Sequence, residues 1–519
     1  MERLVNDSVS SPISVMVTGP KSSGKSTFGK LLANRLITHP SRNTKTKRLP
    51  DVAILDLDPG QPEYGVPSQI SLIRFTEPVL QPSFCHPSSG IGGFEVIRSH
   101  SLASISPASD PDLYIEAARD LVTHYRNVLG TSSLIINTPG WIQGTGLDLL
   151  TSLISDLRPT EVVYMSQTGP AEAVESLQEA CRTTTFSTLP SQAAQYTSRT
   201  AAQLRAMQTM SYFHAEADVD NQLMKWNTEP LTTVPPWVVS YAGENRGIFG
   251  ITLYDYQASP ELLADAINGT VLAAVEVESP LAFRDLVNHQ AGSRTEDDDN
   301  DDDVDTTRMD LDDDNSDNDN NSQKPVTALS LDELQKQITT ATPAEELPLI
   351  NGSATTTHGT TLDPRYSRFL GLVLVRGIDV RAKALQLLTP IPAATIEGVG
   401  ARGGAIVLVS GKLDPASWAY TEDLYYSRHN GDRGGDGGGN GNDENGAGEG
   451  EEDELMDGVD DGTDAESSEV EGEDGDGDGE SDPGPTPWIE VLHGNQKRGV
   501  GSKVWRVRRD LGRTGNAAE

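Results

Sequence analysis

Between about residue 12 and residue 290, short apolar runs alternate with longer stretches in which apolar side chains recur every three or four positions. The apolar runs predict strands at Ile13–Val17, Val52–Leu57, Leu134–Asn137, Glu161–Met165 and Trp237–Tyr241. The three-to-four spacing predicts helices at Thr27–Leu36, Asp112–Leu129, Gly146–Leu157, Ala171–Ala180 and Ala201–His214. Alternation of this kind predicts an α/β fold with a doubly wound, mostly parallel sheet and ligands at the carboxyl ends of its strands. Further along, Ser330–Ile338 reads as one short helix followed by a polar linker. Phe369–Asp379 and Ala405–Leu413 are apolar strand runs with turn residues between them, the start of a smaller β-rich domain.

Charge alters this picture by marking what does not fold. The chain carries a net charge of −38, of which Arg294–Asn320 supplies −12 and Arg428–Asp482 supplies −20. Such tracts hold too few apolar side chains to offset the entropy of ordering, so they predict disorder, and the remainder is nearly charge-balanced. The resulting organisation is a first domain over 1–293, an acidic linker over 294–361, and a β-rich domain begun at 362–427. An acidic, glycine-rich insertion follows over 428–485, and that domain is completed by 486–519 with a basic tail. Overall acidity therefore does not exclude a nucleic-acid substrate. Two cysteines, Cys85 and Cys181, are too few for a disulfide framework and suit a reducing compartment. Neither a long apolar span nor a secretory h-region is present, which predicts a soluble intracellular protein.

The most specific chemical signal follows the first strand. Gly19-Pro20-Lys21-Ser22-Ser23-Gly24-Lys25-Ser26-Thr27 is a G-x-x-x-x-G-K-[ST] loop between an apolar strand and a helical stretch, the setting of a P-loop NTPase. Backbone N–H groups of residues 19–27 and the helix N-terminus are expected to cradle phosphates. Lys25 serves the β- and γ-phosphates, and Ser26 places its hydroxyl on Mg²⁺. By contrast, Gly398–Gly403 spells G-x-G-x-x-G ahead of a strand, the wrong side for a dinucleotide fingerprint.

A P-loop enzyme also needs an acid beside the metal. In the strand Leu134–Asn137 the usual acid is replaced by Asn137, ahead of Thr138-Pro139-Gly140-Trp141. The carboxylate is expected from Ala53-Ile54-Leu55-Asp56-Leu57-Asp58-Pro59-Gly60-Gln61, where period-2 alternation puts Asp56 and Asp58 on one face. The competing reading of both is turn capping before Pro-Gly. Neither Asn-Lys-x-Asp nor Thr-Lys-x-Asp follows the later strands, which argues against a GTPase.

Together, Gly19–Thr27, Asp56-Leu57-Asp58-Pro59-Gly60-Gln61-Pro62-Glu63 and Thr138–Trp141 resemble the polynucleotide 5′-hydroxyl kinases, nearest to their nucleolar branch in pre-ribosomal RNA processing. The resemblance implies ATP and Mg²⁺ as cofactors, an RNA bearing a 5′-hydroxyl as substrate, an endoribonuclease partner and a nucleolar location. It further implies a clasp of Thr138, Gly140 and Trp141, with Gln61 beside it, that grips the RNA end. A lid arginine is implied too, Arg205 first and Arg199 second. Gly371–Asp379, Trp418–Tyr420 and Val504–Arg509 resemble the carboxyl-terminal domain of that branch. The family ordinarily carries a substantial domain ahead of the P-loop, which here begins at residue 19.

Chemistry gives each match a role. Asp58 is the expected base for the RNA hydroxyl, with Asp56 and Ser26 in the metal shell. An arginine from a helix neutralises charge on the transferring group, and Trp141 stacks on a base. The alternatives are a core tryptophan and an ordinary surface-helix arginine. Alternative functions are a tRNA-splicing or messenger-RNA 3′-end kinase, or a non-catalytic ATP-binding scaffold.

Overall fold

The computed structural model describes residues 1–39, 51–86, 93–166, 169–191, 199–218, 223–243, 245–254, 259–283, 330–350 and 361–422. All belong to one unit, Met1–Gly448, while a second, Glu449–Glu519, lies outside the described residues. So do the linker stretch 294–329, the insertion 428–485 and the closing piece 486–519.

The chain opens with α1 (Glu2–Ser8), β1 (Ser14–Thr18), α2 (Lys25–Thr38), β2 (Val52–Asp56), β3 (Gln69–Phe75), β4 (Phe94–Ser101), α3 (Pro111–His124), β5 (Ser133–Asn137) and α4 (Thr145–Leu157). It continues through β6 (Glu161–Met165), α5 (Ala171–Ala180), β7 (Thr185–Leu189), α6 (Ala201–His214) and a small hairpin, β8 (Ala215–Asp218) with β9 (Leu223–Trp226). The first seven strands form one sheet in the order β4-β3-β2-β5-β1-β6-β7. Five neighbours run parallel, and β3 and β4 add an antiparallel edge.

Alternation along the strands sorts the faces, because successive side chains in a strand point to opposite sides. Val15, Val17, Ile54, Ile135 and Val163 pack with Leu32 and Leu36 of α2 and with Leu4 and Val5 of α1. Met16, Leu55, Ile136 and Tyr164 face the other way, toward Leu113 and Leu121 of α3 and Leu150 and Ile154 of α4. This is the doubly wound α/β arrangement of a P-loop domain, and it brings the carboxyl ends of β1, β2 and β5 side by side.

A second, eight-stranded sheet follows. It takes β10 (Trp237–Ser240), β11 (Gly250–Leu253) and, after the short α7 (Leu263–Ile267), β12 (Val271–Val277). Beyond α8 (Leu331–Ile338) come β13 (Thr339–Ala341), β14 (Pro348–Ile350), β15 (Ser367–Asp379), β16 (Ala384–Leu388), α9 (Ala393–Ala401) and β17 (Ala405–Ser410). Its order is β10-β16-β15-β12-β17-β11-β14-β13.

Two boundaries read from the chain shift accordingly. Trp237–Ser240, placed by pattern in the first sheet, pairs antiparallel with Ala384–Leu387 in the second. Residues 237–277 thus leave the first sheet for the second, with β12 at the centre between β15 and β17. Burial on both faces makes β12 apolar at every position but Glu276, and such a run does not encode its partner. Likewise, the stretch read as a polar linker contains β13 and β14, which extend this sheet from β11. The helix before them begins at a capping box, Ser330 with Glu333, and buries Leu334 and Ile338.

The two sheets share one apolar core, in which Ala117 and Leu121 of α3 join Phe369 and Leu372 of β15. They are also fastened by a buried arginine. From β4, Arg98 Nε donates to Asp120 Oδ2 (2.6 Å) and Nη1 to Glu278 Oε1 (3.1 Å), while Nη2 donates to the carbonyls of Pro364 (2.9 Å) and Ser367 (3.0 Å). Truncating such a group removes a donor from two carboxylates and two carbonyls, leaving Asp120 with the His100 Nε2 at 2.8 Å. Arg98→Ala is expected to lower stability by about 3–5 kcal/mol in urea denaturation, and Arg98→Lys to recover little because an ammonium lacks the planar fork.

Candidate functional site

The loop after β1 is shaped by close contacts that only glycine permits. A Cβ on Gly19 (φ +146°) would lie 2.9 Å from the carbonyl oxygen of Met165, and Gly24 caps α2 in the left-handed region at φ +93°. Ser22 also has positive φ (+62°), so the segment curls into a concavity of backbone N–H groups at the amino end of α2. Lys25 is buried, and its Nζ donates to the Pro20 carbonyl at 2.9 Å. Burial lowers the pKa of this ammonium, with the Asp58 carboxylate opposing. Ser23 Oγ is buried without a partner among the described residues, and Ser26 is half-buried at the start of the helix. These features fit a triphosphate: a positive-φ loop, an unpaired buried hydroxyl and a desolvated lysine. Among the described residues no group of three or more His, Cys, Asp or Glu forms a ligand set for a metal ion, and Ser26 is the residue of this loop whose hydroxyl fits Mg²⁺.

The next strand delivers the acids. β2 and β5 run in parallel register with Asp56 opposite Asn137, and the Asn137 Nδ2 donates to Asp56 Oδ1 at 2.9 Å. The same oxygen accepts from Asp58 N (3.4 Å), and Oδ2 accepts from Glu63 N (2.7 Å). Both oxygens of Asp56 are therefore engaged in bending the chain from 57 to 63. Asp56 is 1% exposed and bonded on both oxygens, so its carboxylate holds the turn, while Oδ2 keeps one acceptor site beyond the Glu63 N–H. Burial in the first place pushes its pKa up to about 7, against the Asn137 hydrogen bond and with the charge of Asp58.

Asp58 is half-buried, and its Oδ1 accepts from Gly60 N (3.1 Å) and Gln61 N (3.2 Å). Turn capping and a site-facing charge coexist here. Burial raises this carboxyl, while Lys25, the two backbone donors and Arg205 lower it, so one cation from the P-loop and one from α6 favour its charged form. The Gln61 backbone is part of this turn, and its side chain is half-buried.

The segment after β5 is divided between packing and exposure. Thr138, expected in the RNA clasp, is fully buried, and its hydroxyl donates to Val17 O at 3.0 Å and so ties β5 to β1. A Cβ on Gly140 would sit 2.7 Å from Lys21 N and Cα, so this turn lies directly against the P-loop. Trp141 is half-buried, with its indole over Gly146, where any side chain would meet Cγ at 2.4 Å.

The helix α6 closes the site. A capping box of Thr200 and Gln203 starts it, and the Gln208 Nε2 donates to the carbonyls of Pro62 (2.7 Å) and Gly65 (2.7 Å). The loop that carries Asp58 and the helix that carries Arg205 are thereby joined. Gln208 was not singled out in the sequence, although its place three residues after Arg205 put both on one helix face. Arg199 is exposed ahead of the cap, so of the two arginines Arg205 is the one that acts on Asp58.

Residues 19–215 match the family model described as mRNA cleavage and polyadenylation factor CLP1 P-loop. The chain is 42% identical over 510 residues to the polynucleotide 5′-hydroxyl-kinase GRC3 of Gibberella zeae, covering 96% of this chain and 61% of that protein. It is 39% identical over 424 residues to the grc3 protein of Aspergillus clavatus, 80% of this chain and 50% of that one. Thus the chain spans about half to three-fifths of the curated relatives it matches. Among solved structures, the wild-type Clp1p–Pcf11p complex aligns with a TM-score of 0.42 and 14% identity over 78% of this chain and 75% of that one.

The Asp56 network has a pH signature. Because its folded pKa, about 7, lies above the ordinary carboxyl value, the folded state binds the proton more tightly. The stability from this group is greatest at low pH and is lost as pH rises through about 7. The wild-type melting temperature minus that of Asp56→Asn is expected to shrink from pH 5 to pH 8; a difference independent of pH would contradict the assignment.

Proposed function

We propose, on the premise that this chain is homologous over 96% of its length to a curated polynucleotide 5′-hydroxyl-kinase, that it transfers the γ-phosphate of ATP to the 5′-hydroxyl of an RNA. The observation that carries the reading is the glycine-shaped loop over 19–24 with buried Lys25 bonded to its Pro20 carbonyl, together with the Asp58 turn, whose carboxylate Lys25 and Arg205 both favour in its charged form. Phosphoryl transfer needs a preorganised cradle, cations for the equatorial oxygens and a group that takes the acceptor's proton, and Lys25, Arg205 and Asp58 supply the last two.

In this mechanism the backbone of residues 19–24 and the start of α2 bind the triphosphate. Lys25 exchanges the Pro20 carbonyl for phosphate oxygens. Asp58 orients the RNA hydroxyl and accepts its proton as the new P–O bond forms and the bond to ADP breaks. Arg205 lies over the transferring group and excludes water with α6. Ser26 would hold Mg²⁺ together with the phosphates, and the ion would supply neutralisation of the triphosphate charge. Trp141 provides a stacking face for a base of the acceptor, with Gly140 bringing that segment against the P-loop. The resemblance of Gly19–Thr27, Asp56–Glu63 and Thr138–Trp141 to the nucleolar branch supports pre-ribosomal RNA as the substrate, an endoribonuclease partner and action in the nucleolus.

Transfer of label from γ-labelled ATP to a 5′-hydroxyl oligoribonucleotide tests the reading. Lys25→Ala is expected to abolish transfer with the melting temperature retained. Asp58→Asn is expected to lower turnover by roughly 10²–10⁴ and to remove the acid limb of the rate profile, a limb displaced above the ordinary carboxylate range because burial raises Asp58. Nucleotide binding without transfer by the wild type would identify a non-catalytic scaffold instead.

Trp141→Ala separates stacking from packing. The expected result is RNA affinity weakened by about 1–3 kcal/mol with ATP affinity unchanged. A loss of stability of about 3–5 kcal/mol with both ligands weakened together would mark a core residue.

A further inference from the structure

Arg205 reaches the site from α6, yet its one hydrogen-bond partner among the described residues comes from the other sheet. Its Nε donates to Asp414 Oδ2 at 2.5 Å, while Nη1 and Nη2 make no hydrogen bond among the described residues. The arginine side chain is 13% exposed and the aspartate 39%, so the pair is partly shielded, not free in solvent.

The position of Asp414 is itself fixed. It follows β17 by four residues, and Lys412 forms a parallel bridge with Ser104. A Cβ on Gly411 would stand 2.1 Å from the Ala103 carbonyl oxygen, so the two backbones are in contact there. Next to this contact, a Cβ on Gly60 would lie 2.9 Å from Ile105 O, which sets the same 103–105 segment against the Asp58 turn. Pro415 restricts Asp414 to extended conformations. A closed circuit results: the Asp58 turn, segment 103–105, the exit of β17, Asp414, Arg205, α6 and, through Gln208, the loop that holds Asp58.

Building on the kinase reading above, we propose that Asp414 is a positioning residue: it clamps the Nε edge of Arg205 so that the two terminal nitrogens are presented to the transferring phosphoryl group. A guanidinium offers five donors in a rigid fork, so one carboxylate oxygen on Nε fixes the plane and leaves the far edge for phosphate oxygens. The second sheet thereby sets the geometry of a residue that belongs to the first domain. An ordinary exposed pair contributes little and is indifferent to catalysis. The two differ in what they move.

The test compares wild type, Asp414→Ala, Asp414→Asn, Arg205→Ala and the double variant in the full chain, reading kcat and KM for ATP by label transfer to a 5′-hydroxyl oligoribonucleotide, with melting temperatures alongside. Asp414→Ala is expected to lower kcat by roughly 10–100-fold, the scale of a misplaced catalytic group, with KM and melting temperature nearly unchanged. Asp414→Asn, which keeps an acceptor oxygen, is expected to recover part of the loss. In the Arg205→Ala background, removing Asp414 is expected to have no further effect. Wild-type kcat in Asp414→Ala, or a full additional loss in the double variant, would overturn the proposal while leaving the kinase reading intact. Failure of the wild type to transfer label overturns that reading itself, and a wild-type rate in Arg205→Ala removes the arginine on which the proposal depends.

Discussion

One hydrogen bond between neighbouring parallel strands organises the site: the Asn137 amide to the Asp56 carboxylate. In the usual P-loop arrangement the strand that ends at Asn137 carries the acid. Here the acid sits one strand over, and the register that sets Asp56 opposite Asn137 couples the two. With one oxygen on Asn137 and Asp58 N and the other on Glu63 N, Asp56 folds residues 57–63 back over the strand ends. Asp58, two residues on, is then raised by burial, while a P-loop lysine and a helix arginine favour its charged form. A buried acid serving structure and a half-buried one facing the cleft are two outcomes of one local sequence.

Close backbone approach is the second constraint. Gly19 against Met165, Gly140 against Lys21, Gly60 against Ile105 and Gly411 against Ala103 each allow contacts that a β-carbon would forbid. Four separate loops consequently meet at the end of one sheet, and the positions of charged side chains are fixed by the backbones beneath them, not by the side chains alone. The second sheet participates through the same kind of contact. Its β17 exit lies on segment 103–104, and its β15 lies over β4, where Ser99 Oγ donates to Phe369 O. Arg98 adds a buried polar fastening between them, so the two sheets form a single framework around the site.

Period and punctuation along the chain determined the first sheet well. The parallel strands at 14–18, 52–56, 133–137 and 161–165, and the helices at 145–157, 171–180 and 201–214, are local objects. Each is specified by apolar spacing and by residues at its own ends. The P-loop was legible for the same reason, since glycine spacing and a lysine at a helix start are contiguous features. Strands β3, β4 and β7 were not: β4 and β7 are edge strands, and polar side chains interrupt the apolar signal of all three, as Ser71 and Arg74 do in the buried β3.

Partnership was decided by tertiary structure alone. Nothing local tells Trp237–Ser240 to pair with residues from 384 to 387, or β12 (Val271–Val277) to lie between Ser367–Asp379 and Ala405–Ser410. Nor does the sequence distinguish Thr138, buried with its hydroxyl donating to Val17 O, from an exposed threonine. Asp414 lies 209 residues from the arginine it binds. Sequence determined which chemistry is present, through residue types at fixed short spacing. Only folding determined which of those groups remain available, because a hydrogen bond or a buried face is a property of two distant segments brought together.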